Sequence, residues 1–319
     1  VYLYCQQINT QNNNEPQTDI SLHIPLGKDL ETPIPLVPRQ EQIIRHSGYT
    51  VSYNKDLKIP NWVSYELTRE ETKGKEKRGN RFIADPLVTG PIATNADYTR
   101  SGYDKGHMAP AADMKWSPEA MKESFYFSNM CPQHPQLNRR GWKNLEEKIR
   151  NWAIADSAII IICGPIIEKQ PKTIGKNKVV VPQRFFKVVL SPFAKPIRAI
   201  GFLFNNEQAV EPLSSYVVTV DSIESLTNMD FFAPLPDEIE NKIEANANLT
   251  TSFFSARVLW SLRRWALTFA FAELLDAIFP TCSVRSMELT FSPFKITICS
   301  PFLYSMEMSA PEHTASISS

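Results

Sequence analysis

Two short polar segments hold the side chains best suited to chemistry. The first, Ser101–Pro110, contains His107 directly after a glycine. Histidine suits proton transfer near neutral pH, because its unperturbed pKa is about 6.5. A lone histidine is more often structural than catalytic. The segment by itself therefore indicates only a candidate general base.

The second segment, Gln136–Glu146, stands where a helix is predicted to begin. Asn138 precedes this helix, and an asparagine there is most often an N-cap. Its amide oxygen is also a hard, neutral ligand for Mg²⁺, which keeps most of its waters and needs one or two protein oxygens. Glu146 either hydrogen-bonds metal-bound waters or faces solvent on the helix.

Positive charge is concentrated in a few segments of this chain rather than spread over all of it. Lys+Arg and Asp+Glu both number 34, which excludes the overall basic character of a protein that coats nucleic acid. Arg139 and Arg140 oppose the dipole of the predicted helix, and an anionic partner would relieve that misfit. The charged run Thr68–Arg81 is either a solvated loop or a phosphate-facing rim.

The changes in composition predict three regions. Residues 1–40 are rich in Asn, Gln, Pro and Thr and are expected to be an extended or disordered lead-in. Residues 41–249 are predicted to form one α+β domain, with a mixed or antiparallel central sheet and flanking helices. Residues 250–319 form an atypical tail of unknown role.

The elements of the central region follow from alternation, apolar runs and caps. The predicted strands are Tyr49–Tyr53, Trp62–Leu67, Phe125–Met130, Ala158–Cys163, Lys178–Pro182, Phe185–Leu190, Ala199–Phe204 and Tyr216–Val220. The predicted helices are Ser117–Ser124, Gly141–Ala155 and Pro236–Ala245.

The tail does not predict a membrane span. Phe253–Phe279 is apolar but is interrupted by Arg263, Arg264 and Glu273, which makes it a poor bilayer span. It could be an amphipathic helix that lies on the domain or on a membrane surface. We therefore expect no firm membrane association. Val1–Cys5 could be the trailing edge of a signal-peptide segment, although five residues do not establish one.

The five cysteines are widely spaced and do not predict a disulfide framework, and their spacing neither indicates nor excludes one or two bridges. Cys131 and His134 stand in a C-x-x-H arrangement, which is half of a zinc site. A zinc hydrolase is therefore a rival hypothesis, but a plain loop cysteine and histidine are the simpler interpretation.

Several segments together resemble one enzyme family. Tyr103–Pro110 is similar to the D-R-G-H signature of the DNA/RNA non-specific endonucleases, relatives of mitochondrial endonuclease G. The similarity continues through Phe125–Gln133 and Leu137–Glu146 in the family's order and spacing, and more weakly across residues 41–246. Separate motifs at matching intervals make this a strong signal.

The resemblance implies a ββα-metal core, two strands and a helix around one Mg²⁺ ion, with Mn²⁺ as a substitute. It implies that His107 is the general base, that Asn138 holds the metal and that Glu146 lies in its water shell. The implied activity is hydrolysis of DNA and RNA to 5′-phosphate products. Asn129 is expected to support the histidine, and Asp104 to fix the loop.

The basic residues depart from the family pattern. Lys105 stands in place of the family's arginine, which keeps the charge but loses bidentate phosphate contact. The family also has an arginine upstream of the histidine that acts in the transition state, and we assign this role to Arg81. Asn80 is an alternative position in the alignment with the family, and Arg78 is an alternative arginine for the role. Arg78, together with Arg139 and Arg140, is also expected to bind substrate.

The family resemblance implies DNA and RNA as substrates and favours a homodimer. A nonspecific nuclease free in the cytosol would attack the host's nucleic acid, so a secreted or periplasmic location is expected, with an organelle as the alternative. The alternative function is a nucleic-acid-binding protein with a decayed site.

Overall fold

The computed structural model describes residues 29–247, 287–291, 294–299 and 303–308. The chain divides into two compact units, residues 1–254 and 255–319. Most of the predicted lead-in and the amphipathic segment Phe253–Phe279 lie outside the described residues.

The described strands, in chain order, are β1 Ile34–Pro35, β2 Gln42–Arg45, β3 Thr50–Asn54, β4 Ile59–Thr68, β5 Asp104–His107, β6 Met130–Gln133, β7 Ala158–Ile166, β8 Thr173–Ile174, β9 Val179–Val180, β10 Arg184–Ser191, β11 Arg198–Asn205, β12 Val217–Val218, β13 Met229–Asp230, β14 Met287–Phe291, β15 Phe294–Cys299 and β16 Leu303–Met308. The described helices are α1 Asn95–Tyr98, α2 Pro118–Glu123, α3 Lys143–Asp156, α4 Val220–Thr227 and α5 Asp237–Glu244.

A seven-stranded sheet organises the first unit, in the order β12-β11-β10-β7-β4-β3-β2. Every neighbouring pair in it is antiparallel. The predicted α+β class with a central sheet and flanking helices is confirmed. In the second unit, β14, β15 and β16 form a separate antiparallel sheet.

Both faces of the large sheet are covered, which explains the unbroken apolar run of β7. All nine residues of β7 are buried. On β10, Phe185 and Val189 belong to one hydrophobic cluster, whereas Phe186 and Val188 belong to the other. The first cluster includes the apolar face of α3, and the second includes residues of α4 and α5. The segments predicted to carry chemistry therefore lie on the α3 side.

The two polar segments meet in a strand–strand–helix arrangement. Strand β5 pairs antiparallel with β6, and His107 lies opposite Met130. A π-helical turn, Leu137–Trp142, follows β6 and continues directly into α3. Asn138 lies inside this turn, not at an N-cap, and its backbone N–H bonds to the carbonyl oxygen of His134.

One predicted strand is wrong, and two others are shorter than predicted. Tyr216–Val220 contains only the two-residue strand β12, because Val220 already begins α4. Most of Phe125–Met130 is not extended: Phe127–Asn129 is a 3₁₀ turn, and β6 begins only at Met130. The predicted strand at Lys178–Pro182 shrinks to β9, which pairs with β8 outside the large sheet. Hydrophobic runs alone did not reveal that Phe127–Asn129 is buried without strand pairing, or that Val179–Val180 pairs outside the large sheet.

The predicted helices agree with the structure more closely than the predicted strands do. Ser117 accepts hydrogen bonds from the backbone N–H groups of Glu119 and Ala120 at the start of α2. Helix α3 buries Leu145, Ile149 and Trp152, three of the residues whose spacing predicted its apolar face. None of the helices in the described part of the chain is long and apolar enough to cross a membrane.

Candidate active site

An open cleft of about 360 Å³ lies at the strand–strand–helix arrangement. Its lining combines charged and titratable groups with aromatic rings and an amide. The lining residues are Arg78, Phe82, Tyr98, Thr99, Tyr103, Asp104, Lys105, His107 and Asn138. Segments separated in the sequence thus contribute to one surface.

His107 ends β5 and is held from the backbone. Its carbonyl oxygen accepts a hydrogen bond of 3.3 Å from Nε1 of Trp142, which leads into α3. A Cβ atom at Gly106 would collide with the side chain of Gln133 on β6. Glycine at this position therefore lets the two strands approach, which fixes His107 relative to the helix.

The imidazole of His107 is buried between two rings and faces the cleft. Its centroid lies 5.6 Å from Phe82 and 5.0 Å from Phe125, and only 7% of the residue is exposed. Nε2 is buried and has no hydrogen-bond partner among the described residues. Burial, and then the positive charge of Arg78, lower the pKa of His107 to about 3. The ring is therefore neutral at pH 7.

Asp104 orients both Asn138 and Arg139. Its Oδ2 accepts hydrogen bonds from Nδ2 of Asn138 at 3.0 Å and from Nε of Arg139 at 2.8 Å. A third bond joins Arg139 to Oδ1 of Asp104, also at 2.8 Å. The bidentate pair fixes the carboxylate, and the carboxylate fixes the Asn138 amide.

Asn129 is completely buried beneath His107. Its Oδ1 accepts from the backbone N–H of Ala109 at 2.8 Å, and its Nδ2 donates to the carbonyl oxygens of Ala109 and Ser124, both at 2.9 Å. The backbone N–H of Met108 donates to the carbonyl oxygen of Asn129. The side chain thus anchors the segment that follows the histidine.

Lys105 lies against the aromatic wall of the cleft. Its Nζ is 4.6 Å from the ring centroid of Phe82 and 5.8 Å from that of Tyr98. It also donates a hydrogen bond of 3.2 Å to Oδ1 of Asn95. A compact ammonium group suits this aromatic contact and presents a point charge to the cleft.

Glu146 is partly buried on α3 and is not among the residues that line the cleft, although the charge of the lining residue Arg78 influences it. Burial raises the pKa of Glu146 to about 7, and the neighbouring charge of Lys187 lowers it in part. Lys187 is completely buried, and its Nζ lies 4.3 Å from the ring centroid of Trp142. Within the described part of the chain, this Nζ has no hydrogen-bond partner.

A buried network beside Glu146 was not predicted from the sequence. Arg150 donates to Oδ1 of Asp113 at 2.7 Å, and the hydroxyl of Tyr65 donates to Oδ2 at 2.9 Å. Both Arg150 and Asp113 influence the pKa of Glu146. Arg150 stands four residues after Glu146, on the same helix face, and that spacing was the available signal.

The arginines predicted near the substrate separate into two groups. Arg78 lines the cleft, with its guanidinium carbon 5.4 Å from the ring centroid of Phe125. Arg81 and Arg140 are exposed and lie outside the described cleft lining, whereas Arg139 is paired with Asp104. Arg78, which was the alternative to Arg81 in the sequence, therefore shares the cleft lining with His107, whereas Arg81 does not.

Cys131 and His134 do not form half of a zinc site in the described region. Cys131 is a completely buried free cysteine. Nδ1 of His134 accepts a hydrogen bond of 3.2 Å from the backbone N–H of Gln136. Among the described residues, Asp221, Glu224 and Glu244 form a cluster of metal-ligating side chains, and this cluster includes neither Cys131 nor His134.

The cleft residues fit a hard divalent cation. The Asn138 amide donates through Nδ2 to Asp104, while no hydrogen bond is formed to its Oδ1 by the described residues. The nearby carboxylates of Asp104 and Glu146 supply oxygen, and the cleft lining holds no thiol. An all-oxygen set suits Mg²⁺ better than zinc.

Comparisons with known proteins agree on one group of enzymes. The family profile of the DNA/RNA non-specific endonucleases matches residues 27–238. Mitochondrial endonuclease G of Homo sapiens is 34% identical over 210 residues, covering 61% of this chain and 71% of that protein. A nuclease of Nostoc sp. is 30% identical over 249 residues, covering 73% and 89%.

A solved structure shares the fold. A chain of the crystal structure of the EndoG/EndoGI complex superposes with a TM-score of 0.59 at 29% sequence identity. The match covers 63% of this chain and 90% of that chain. Sequence and fold therefore point to the same relatives.

These matches place the protein among the nucleases, enzymes that hydrolyse phosphodiester bonds and take nucleic acid as substrate. Within that class, the chain belongs to the DNA/RNA non-specific endonuclease family.

Proposed function

We propose that the cleft hydrolyses phosphodiester bonds in both DNA and RNA with Mg²⁺, or Mn²⁺ in its place, and leaves 5′-phosphate ends. The observation that carries this proposal is the pairing of His107 and Asn138 on one basic cleft. Nε2 of His107 is unpartnered, and Oδ1 of Asn138 accepts no hydrogen bond from the described residues. A proton acceptor and a metal ligand thus remain available together.

His107 accepts the proton of the attacking water. The lowered pKa keeps its ring neutral, so the nitrogen lone pair is free at neutral pH. A bound phosphate offsets the charge of Arg78, one of the two causes that lower this pKa. Substrate binding therefore strengthens the base when it is needed.

Asn138 holds the metal through Oδ1, and Asp104 keeps that oxygen turned to the cleft. When bound, the metal supplies positive charge that neutralises the scissile phosphate and the leaving 3′ oxygen. Glu146 orients water near the site. Its ionised form, which accepts hydrogen bonds from water, becomes more populated as the pH rises through about 7.

Arg78 and Lys105 bind the phosphate backbone. Both line the cleft, and both contact its aromatic wall. Phosphate contacts position a nucleic acid without reading its bases, which agrees with cleavage of low sequence specificity. Arg139 and Arg140, at the exposed entrance to α3, extend this positive surface.

Replacing Arg78 with alanine is expected to weaken substrate binding and to flatten its salt dependence. The binding constant K falls with rising salt concentration, and each lost phosphate contact makes the slope of log K against log salt concentration less steep by about one. Cleavage rates and gel retardation at several ionic strengths provide the measurement. Arg81→Ala is the matched control and should change the slope less, because Arg81 is exposed and lies outside the cleft lining. Wild-type activity that is flat from low to high salt would contradict the assignment.

Digestion of plasmid DNA and of RNA, each with Mg²⁺ and with EDTA, tests the proposed function. We expect both substrates to be cut with Mg²⁺ and neither with EDTA, and the new ends to accept ligation without prior phosphorylation. Wild-type protein that retards both substrates on a gel but leaves them whole would favour the decayed-site alternative.

We also infer an organellar location in preference to a secreted or periplasmic one. The relatives from Homo sapiens and Saccharomyces cerevisiae are named as mitochondrial nucleases. Cell fractionation of the full-length protein checks this inference, and recovery from the culture medium or periplasm would overturn it.

A further inference from the structure

A group of carboxylates lies on the other face of the large sheet from the cleft. Asp221 and Glu224 belong to α4, and Glu244 ends α5. Each offers one carboxylate oxygen, and these oxygens all lie within 4.8 Å of one another. Apolar residues of both helices, Ile223 and Ile243, belong to the hydrophobic cluster on that face.

Glu244 is the unusual member of this group. Only 5% of the residue is exposed, and its buried Oε1 has no hydrogen-bond partner among the described residues. A buried carboxylate without a partner is costly, because the interior does not replace the water it loses. An acidic group at a helix C-terminus also opposes the helix dipole. A bound cation would compensate both effects.

The neighbouring carboxyl groups offer no compensation. Oxygens of Asp221 and Glu224 lie within 4.8 Å of an oxygen of Glu244, so groups of like charge face one another. Glu224 is held there by a 2.7 Å hydrogen bond that its Oε1 accepts from the backbone N–H of Phe231. A cation between the helices would offset this repulsion.

We propose that Asp221, Glu224 and Glu244 bind one Ca²⁺ ion between α4 and α5. Oxygens on opposite sides of a Ca²⁺ ion lie about 5 Å apart, because each Ca²⁺–O distance is about 2.3–2.6 Å. The observed spacing matches this geometry. Asp221 is exposed, so water completes the coordination on that side.

The choice of Ca²⁺ follows from the ligands. Three carboxylates and no nitrogen or sulfur donor form a hard site. Mg²⁺ usually uses one or two carboxylates and keeps several waters in an octahedron, whereas Ca²⁺ accepts more protein oxygens in a flexible geometry. The bound ion links the end of α5 to α4 and stabilises both helices.

Calorimetric titration of Ca²⁺ into the EDTA-treated, dialysed full chain tests this site in an Asn138→Ala background, which removes the metal ligand proposed in the cleft. We expect one Ca²⁺ ion per chain. Adding Glu244→Gln should weaken binding at least about tenfold. Adding Glu238→Gln, an exposed acidic residue of the same helix, should leave it unchanged.

Two further measurements, of thermal stability and of a second ligand variant, complete the test. In EDTA, Glu244→Gln should melt at the wild-type temperature or above, because it removes a buried carboxyl group that lies beside two other carboxyl groups. A lower melting temperature would overturn this argument. Asp221→Asn, at the exposed ligand, should also weaken Ca²⁺ binding. Absence of Ca²⁺ binding, equal affinity in the Glu244→Gln and Glu238→Gln variants, or tighter binding of Mg²⁺ would each overturn the proposal. None of these readouts depends on nuclease activity.

Discussion

Replacing His107 with alanine is expected to lower the cleavage rate of both DNA and RNA about 10²–10⁴-fold, the usual contribution of a positioned general base. His107 lines the cleft, and its Nε2 makes no hydrogen bond to the residues that the structure describes. Its loss should therefore remove proton transfer rather than a hydrogen bond that maintains the fold. Single-turnover cleavage at saturating enzyme measures the effect.

Substrate binding should survive this substitution. Arg78 and Lys105, which supply the positive charge of the cleft, are unchanged. Gel retardation of the His107→Ala variant should therefore remain close to that of the wild type. His134→Ala is the matched control, since His134 lies outside the cleft lining and should tolerate the change. Full activity in His107→Ala, or equal losses in both variants, would refute the role of His107.

Replacing Asn138 with alanine is expected to lower cleavage by about 100-fold or more, because the proposed direct metal ligand is lost. The concentration of Mg²⁺ needed for half-maximal activity should rise as well. The substitution also leaves Oδ2 of Asp104 with one hydrogen-bond donor fewer, but Arg139 still holds both carboxylate oxygens. The loop should therefore keep its position.

Asn144 provides the control for this experiment. It is an exposed asparagine on α3. Asn144→Ala should retain both the rate and the Mg²⁺ dependence of the wild type. An Asn138→Ala variant with an unchanged Mg²⁺ requirement would show that the amide is not the metal ligand.

Much of the fold could be predicted because its signals are local. The alternation of Thr50–Asn54, the apolar run of β7 and the serine cap of α2 each depend on neighbouring residues. The aromatic segment before β6 was predicted incorrectly as a strand. There, Asn129 binds backbone groups of Ala109 and Ser124, and these contacts are not visible in the local pattern.

The candidate site, like the fold, could be predicted from the sequence only in part. Motif spacing predicted that His107 and Asn138 belong together, and both line one cleft. The sequence did not predict the network of Asp113, Tyr65 and Arg150, because its partners stand 48 and 37 residues from Asp113. The choice between Arg78 and Arg81 depends on the path of the loop, which composition does not determine.

A double-variant cycle tests most directly whether His107 and Asn138 act as one catalytic site. Single-turnover rates of the wild type, His107→Ala, Asn138→Ala and the double variant give the coupling between the two residues. Residues that act as one unit show losses far from additive in free energy. We therefore predict that the double variant is scarcely slower than the worse single variant. A double variant that loses the full product of the two single effects would contradict the account.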